Sequence, residues 1–511
     1  METKLKEKWS RLKSGTDIRG VAVEGVEGEN VDLTLEACET ITHAFVLWLS
    51  ARTKKLPDGL TISVGRDSRI SGPAIADTVM RALSGCGVTV LDCGLASTPS
   101  MFMTTVDLKC DGAAMITASH HPFNRNGLKF FIPEGGLEGS DITELLCISQ
   151  SLEDADGNTS ADLPKASAGE IRPTDYMTDY SARLRNEIKK GVNADDYEHP
   201  LAGFKIAVDA GNGAGGFYAE KVLAPLGADT SGSRFLDPDG MFPNHVPNPE
   251  NAAAMQSICD AVRESRSDLG VIFDTDVDRG GAVDSSGNEI NRNRLVAVAA
   301  AIALEGNEGG TIVTDSITSD GLKEFIEKDL GGKHHRFKRG YKNVINEAIR
   351  LNNEGINCPL AIETSGHAAM RENYFLDDGA YLCTKIIIKA AQLRKEGKSL
   401  EDLTSSLRMA REEKEVRYKI KAHDFRAYGE SVIDKLNAYA ADKEGWTLAD
   451  DSREGVRVSL DDEHGDGWFL LRLSVHDPIM PLNIESNKEG GVEVILGQVK
   501  EFIDTCPELS L

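Results

Sequence analysis

From about residue 58 onward, short β-rich runs alternate with stretches whose apolar residues recur at helical spacing, and the rhythm returns three times. Residues 61–64 read as a strand, and Ile75, Val79 and Leu83 fall at helical spacing behind it; 88–91 and 113–116 read as further strands. The pattern resumes with a strand at 206–208, a helix from about Phe217 and a strand at 271–273. A third round has strands at 311–313 and 360–362 around a helix at 322–330. Such alternation predicts α/β layers. The tail breaks the rhythm, with strands expected at 416–420, 456–458 and 469–473 and helices near 425–440 and 492–503. The fold class expected is therefore α/β: three successive mixed α/β domains plus a smaller α+β C-terminal domain. A chain of 511 residues also exceeds what one hydrophobic core serves. The polar stretch 151–172 predicts a surface excursion and the first boundary, giving expected domains 1–165, 173–290, 291–405 and 412–511.

Composition narrows the function. A net charge of -25 argues against nucleic acid, whose phosphates need a basic counter-surface. Any site for an anionic substrate must then be locally basic against the global field. Nine cysteines without a CxxC pair suit buried thiols in a reducing compartment better than a disulfide framework or a zinc site. The longest apolar run, 295–304, is about half of the ~20 residues a membrane span needs. The first fifteen residues have no apolar core of a secretory leader. A cytoplasmic location is expected, or the plastid stroma where a transit peptide has been removed.

Four segments carry candidate chemistry, each just past an expected strand, where α/β domains place ligand loops. TASHHP at 117–122 puts Ser119 at a loop tip, followed by Lys129; a serine there is either a turn or cap residue or a nucleophile. DTDVDR at 274–279 sets three carboxylates at alternate positions, either a solvated acidic turn or a cluster converging on one hard cation. Unpaired at a strand end they would repel one another, which favours the cation. ETSGH at 363–367 offers a carboxylate, a hydroxyl and an imidazole to a polyol, or is a plain turn. Arg472 and Ser474 either reach one phosphate, the arginine as a bidentate fork, or lie on an ordinary surface strand.

Together, in this order and spacing, these loops resemble the α-D-phosphohexomutase superfamily of phosphoglucomutases, phosphomannomutases and phosphoglucosamine mutases. GTDIRG at 15–20, VGRDSR at 64–69, DAGNGAG at 209–215 and PDGMFPNH at 238–245 extend the resemblance along nearly the whole chain. It implies a phosphohexomutase that interconverts hexose 1-phosphate and hexose 6-phosphate of glucose or mannose through phosphorylated Ser119 and a 1,6-bisphosphate. It implies Mg²⁺ on Asp274, Asp276, Asp278 and Ser119, with glucose 1,6-bisphosphate as activator. Arg19, His120 and Arg279 would attend the transferring group, and Lys129, with a lowered pKa beside other cations, would be general acid/base. Glu363, Ser365, His367, Lys338 and Arg339 would bind the sugar phosphate, and Arg472 and Ser474 the phosphate not being transferred. The partners implied are small hexose phosphates, with no membrane and a monomeric or dimeric protein. Alternatives are a phosphoglucosamine mutase, a hexose 1,6-bisphosphate-forming enzyme and a non-catalytic sugar-phosphate-binding regulator. The chain departs from the pattern at His121, where Asn is usual, and at Thr275 and Val277, where Gly is usual. It departs again in the phosphate loop, with His476, Asp477 and Pro481 in place of Thr, Glu and a second Arg.

Overall fold

The structure, a computed structural model, describes residues 5–155, 167–474 and 477–511. It divides into two compact units: the first runs through residue 291 and takes in 365–367 and 376–398, and the second holds 292–364, 368–375 and 399–511.

In the first unit, β1 (Asp17–Val21), β2 (Thr61–Arg66), β3 (Thr89–Leu95), β4 (Gly112–Ile116), β5 (Arg125–Ile132) and β6 (Ile171–Pro173) lie in the order β1-β5-β4-β2-β3-β6. Two-residue strands at Lys13–Ser14 and Gly135–Gly136 complete this eight-stranded sheet. β2, β3, β4 and β6 are parallel, while β1 and β5 run against their neighbours. Every residue of β4 is buried, as a continuous Gly-Ala-Ala-Met-Ile run requires in a sheet covered on both faces. The helix Leu35–Thr53 covers one face, and its Phe45 stacks on Phe130 of β5 with ring centroids 4.3 Å apart. The stretch 151–172, expected to be a surface excursion, departs from that reading at both ends. The helix Gly139–Asp154 enters it, and β6 extends the sheet edge beside β3. All three β6 residues are exposed, so the strand is held by backbone pairing and leaves no apolar signal. Residues 156–166 of the stretch lie outside the described residues.

The second sheet orders β7 (Ile206–Asp209), β8 (Leu269–Phe273), β9 (Gly280–Val283) and β10 (Glu289–Ile290) as β10-β9-β8-β7. β7 and β8 are parallel, whereas β8 and β9 form an antiparallel hairpin whose loop is 274–279. The helix expected from Phe217 is irregular: a π-helical turn at Tyr218–Leu223 passes into a 3₁₀ turn at Ala224–Leu226. Pro225 has no N–H for the carbonyl four residues back. That carbonyl, of Lys221, takes a hydrogen bond from the Arg185 guanidinium instead.

In the second unit, β11 (Thr311–Thr314), β12 (Lys333–Arg336) and β13 (Leu360–Ile362) are parallel and β14 (Ala368–Met370) is antiparallel, in the order β12-β11-β13-β14. The apolar run 295–304 lies in the buried helix Arg292–Leu304. The last sheet is antiparallel throughout: β15 (Glu412–Ile420), β16 (Trp446–Leu448), β17 (Val456–Leu460), β18 (Gly467–Leu471), β19 (Ile479–Ser486) and β20 (Leu509–Ser510), ordered β16-β17-β18-β19-β15-β20. Helices Phe425–Ala441 and Gly491–Ile503 supply Val432, Leu436, Ile495 and Val499 to its core, with Phe469 and Ile484. The architecture is thus three mixed α/β parts followed by an α+β part. All nine cysteines are free, and all but the half-buried Cys147 are buried. Among the described residues no helix is long and apolar enough to cross a membrane.

One carboxylate in this core is costly. Glu485 of β19 accepts from Trp468 Nε1 at 2.8 Å and from Asn293 Nδ2 at 3.3 Å. Burial raises its pKa to about 7, reinforced by Glu413 and Asp320 and opposed by the Trp468 bond and by Arg457. An acid with a raised folded-state pKa stabilises fully below its unfolded value of 4.5 and loses that contribution as pH rises through 7. The shift corresponds to on the order of 3 kcal/mol. Denaturant unfolding of wild type and Glu485→Gln from pH 4.5 to 8 should show the stability difference moving toward the variant by that order. A difference independent of pH would refute the assignment.

Candidate active site

The loop after β4 is shaped by one arginine. Arg69, fully buried, donates through Nη1 to the carbonyls of Pro122 and Arg125, both at 2.8 Å, and through Nη2 to those of His121, at 2.6 Å, and Ser119. Asp67 orients it, with Oδ2 at 3.2 Å from Nε and Oδ1 accepting the Arg69 N–H at 2.9 Å. Ser119 sits at φ +49° and donates its N–H to Thr117 Oγ1 at 2.9 Å. A non-glycine residue in this region is uncommon and is held there by its surroundings.

Ser119 Oγ meets the 274–279 hairpin loop, donating to Asp274 Oδ2 at 3.0 Å and accepting from Arg279 Nη2 at 3.2 Å. Asp274, Asp276 and Asp278 are buried, with one oxygen from each within 4.8 Å of the others. Thr98 Oγ1 donates to Asp276 Oδ2, and Lys129 Nζ donates to Asp278 Oδ2 at 2.8 Å. The second oxygens of Asp276 and Asp278 are buried and make no hydrogen bond among the described residues. Burial and mutual repulsion push Asp274 well up, and burial followed by Asp278 raises Asp276. Asp278 is held low against burial by Lys129, His367 and Arg279. Buried oxygens without donors, on converging carboxylates, fit a hard divalent cation. Val277 takes φ +66°, a strained geometry for a β-branched residue, so the side chain at this usual glycine position leaves the loop's backbone path intact. Gly213 allows a second loop to press on this one: a Cβ there would lie 2.6 Å from the Thr275 carbonyl oxygen.

Arg279 ties the parts together. Its Nε reaches Asp274 Oδ2 at 3.2 Å, Nη1 reaches Asn248 Oδ1 at 3.3 Å, and Nη2 also donates to His120 Nδ1. Burial and the Arg279 charge hold the His120 imidazole neutral, down to about 2. Arg19 of β1 pairs with Asp17 at 2.7 Å and opposes Gly127 of β5, next to the Lys129 strand segment. The backbone of His367 pairs with that of Arg279 in an isolated antiparallel β-bridge; its Nδ1 lies 2.6 Å from Asp377 Oδ2 and 4.0 Å from Asp278 Oδ1. Burial alone would lower His367, but Asp377 and Asp278 more than offset it and raise it to about 9. Arg69, Asp67, Thr98 and Asp377 escaped the sequence reading. Arg69 and Asp67 stand in the VGRDSR motif, yet Arg69 acts on backbone carbonyls some fifty residues away, which no local pattern reveals.

The second unit carries another set at the carboxyl ends of its three parallel strands. Asp315 follows β11, Arg339 lies beyond β12 and Glu363 follows β13. Glu363 Oε1 accepts the Gly340 N–H at 2.6 Å, and Thr364 donates to Asp315 Oδ2 at 2.9 Å. Burial, then the Glu363 charge, raises Asp315 to about 7. Lys338 is exposed and Arg339 half-buried. Arg472 and Ser474 lie just past β18, and Ser474 Oγ accepts the Asp477 N–H at 3.3 Å. The remaining sugar-loop residues, Ser365 and His367, belong to the first unit. Pro481, expected in the phosphate loop, is buried in β19 opposite Arg417, and its carbonyl accepts the Arg472 N–H at 3.1 Å. His476 lies outside the described residues.

The chain matches family models described as phosphoglucomutase/phosphomannomutase α/β/α domain I over residues 11–153, domain II over 179–287 and domain III over 291–409. A phosphoglucomutase of Neisseria meningitidis serogroup A is 31% identical over 469 residues, covering 91% of this chain and 94% of that protein. A phosphoglucomutase/phosphomannomutase of Thermococcus kodakarensis is 31% identical over 475 residues, covering 92% and 94%. The X-ray structure of a phosphoglucomutase/phosphomannomutase family protein from Burkholderia thailandensis superposes with a TM-score of 0.77 at 25% identity, covering 98% of each chain. The chain belongs to the phosphoglucomutase/phosphomannomutase family of the α-D-phosphohexomutase superfamily.

Proposed function

We propose that this protein is an isomerase that interconverts the 1- and 6-phosphates of glucose or mannose, carrying the phosphoryl group on Ser119 and passing through a hexose 1,6-bisphosphate. The observation that carries this reading is Ser119 Oγ, held between Asp274 and Arg279 beside three buried carboxylates. The donor set suits Mg²⁺ on Asp274, Asp276 and Asp278; when bound, the cation supplies charge neutralisation at a transferring phosphoryl group.

The chain's own groups account for the rest. Transfer breaks the P–O bond to Ser119 Oγ and forms one to a sugar hydroxyl, through a loose and highly charged transition state. Arg279 is buried and already donates to Ser119 Oγ, so it needs no reorganisation to meet that charge. The attacking hydroxyl gives up a proton, and Lys129, ten residues beyond the serine and buried, is the group assigned to exchange it. His120, kept neutral, adds no competing positive charge at the serine. Glu363, Ser365 and His367 are assigned to the sugar hydroxyls, with Lys338 and Arg339 at the substrate and Arg472 and Ser474 at the retained phosphate. The expected domains 1–165, 173–290, 291–405 and 412–511 each carry one of these loops. Glucose 1,6-bisphosphate is assigned as activator because it can rephosphorylate Ser119 after the intermediate escapes.

Ser119→Ala should fold as wild type and lose roughly 10³-fold or more in turnover, since the acceptor oxygen itself is gone. Intact mass should show one phosphate on wild-type protein incubated with glucose 1,6-bisphosphate and none on the variant. An active Ser119→Ala enzyme would sink the reading.

Asp276→Asn removes one charge from a repelling cluster. The metal-free variant should be no less stable than wild type, while the rise in melting temperature that Mg²⁺ gives wild type should be lost. An undiminished Mg²⁺ shift in the variant would exclude Asp276 as a ligand.

A further inference from the structure

Glu454 lies on the turn between β16 and β17, outside every segment assigned so far. Its Oε2 accepts the Ser316 hydroxyl at 2.6 Å and the Arg339 backbone N–H at 3.1 Å. Its other oxygen faces Arg472 Nη1 at 3.8 Å, and both side chains are only 11% exposed. That separation is too long for a hydrogen bond but short enough to cancel much of the guanidinium's charge. The close approach is built into the backbone. Gly455 takes φ +57°, and a Cβ there would lie 2.2 Å from the Leu471 carbonyl oxygen and 2.8 Å from Arg472 Cα. Arg472 Nε is buried and makes no hydrogen bond among the described residues, so the guanidinium keeps donor capacity for an anion. Other charges face it as well: Arg339, Asp315, and Glu415, which is occupied by Arg417 at 2.6 Å and Asn483 at 3.0 Å.

We propose that Glu454 is a positioning and affinity-limiting residue: a fixed carboxylate that keeps Arg472's hold on the retained phosphate weak. The inference rests on the mutase reading, in which Arg472 binds that phosphate. Pinned by Ser316 and by the Arg339 N–H, the carboxylate neither closes on Arg472 nor swings away from it. It therefore stays beside Arg472 while a phosphate is bound. A bisphosphate that must let go and rebind with its ends exchanged needs such a limited grip. A tighter one would lower KM and slow turnover together.

The test uses the full chain with inorganic phosphate as probe at low ionic strength, measured by calorimetry, together with steady-state kinetics on glucose 1-phosphate. Glu454→Gln preserves shape and can accept the same two hydrogen bonds, while Glu454→Met removes charge and hydrogen bonds together. Both should bind phosphate roughly tenfold more tightly than wild type, as expected for removing one adjacent like charge. Both should lower KM and kcat in parallel. A purely structural role predicts weaker binding in both, more so in the methionine variant, and either unchanged or weakened binding overturns the proposal. Arg472→Gln separates the two levels of inference. If it abolishes phosphate binding while the Glu454 variants do not tighten it, the mutase reading stands and the role of Glu454 falls. If Arg472→Gln binds phosphate like wild type, the assignment of Arg472 to the phosphate and the role of Glu454 fall together, while the mutase reading is tested separately by Ser119→Ala.

Discussion

Three carboxylates brought within 4.8 Å of one another, away from water, form an arrangement that no local preference would produce. At an effective dielectric near 20, each like-charged pair at such a distance repels by roughly 3 kcal/mol. The surrounding fold is organised against that repulsion. Lys129 comes from β5, Arg279 closes the same hairpin, and His367 arrives from a distant stretch of sequence through its bridge to Arg279. The compensation is uneven. Asp278 has the nearest cations and stays ionised, while Asp274 and Asp276 are driven up. A site left short of positive charge in this way is poised to take up a cation, and the shortage lies beside the serine that the loop presents.

The serine loop solves a different problem by related means. Residues 117–124 belong to neither helix nor strand, so their carbonyls lack the partners that regular structure supplies. Arg69 gathers three of them, those of Ser119, His121 and Pro122, together with that of Arg125 at the start of β5, with its two terminal nitrogens, using the planar fork of a guanidinium as a substitute for a ladder. A lysine could not span the same set. The left-handed Ser119 is stable only because that net fixes the residues around it.

These two devices mark where the sequence was legible. Strand ends were readable from apolar runs, so Ser119, the three aspartates and Glu363 could be placed on loops before any coordinates. Charge spacing pointed to the aspartates, because their repulsion is a property of the sequence itself. Arg69 was not readable: its partners are backbone atoms, which every residue has. Asp377 was hidden because its value lies in its contact with His367, ten residues away around a turn. β6 was missed because edge pairing needs no apolar face. Pro481, read as part of the phosphate loop, lies in β19, which begins at Ile479 and buries it.

The net charge of -25 sets the remaining constraint on how phosphates are held. At physiological ionic strength, charges beyond ~8 Å are largely screened, so the global field weighs little against a group in direct contact. What decides the grip on a phosphate is therefore the small set of charges within that radius. Around Arg472 these include Glu454, Arg339, Asp315 and Glu415, the last already paired with Arg417. Burial makes Glu454 more consequential, since its side chain and that of Arg472 are each only 11% exposed and little water screens them. The grip of this one arginine is thus set by its immediate neighbours, Glu454 first among them, and not by the net charge of the chain.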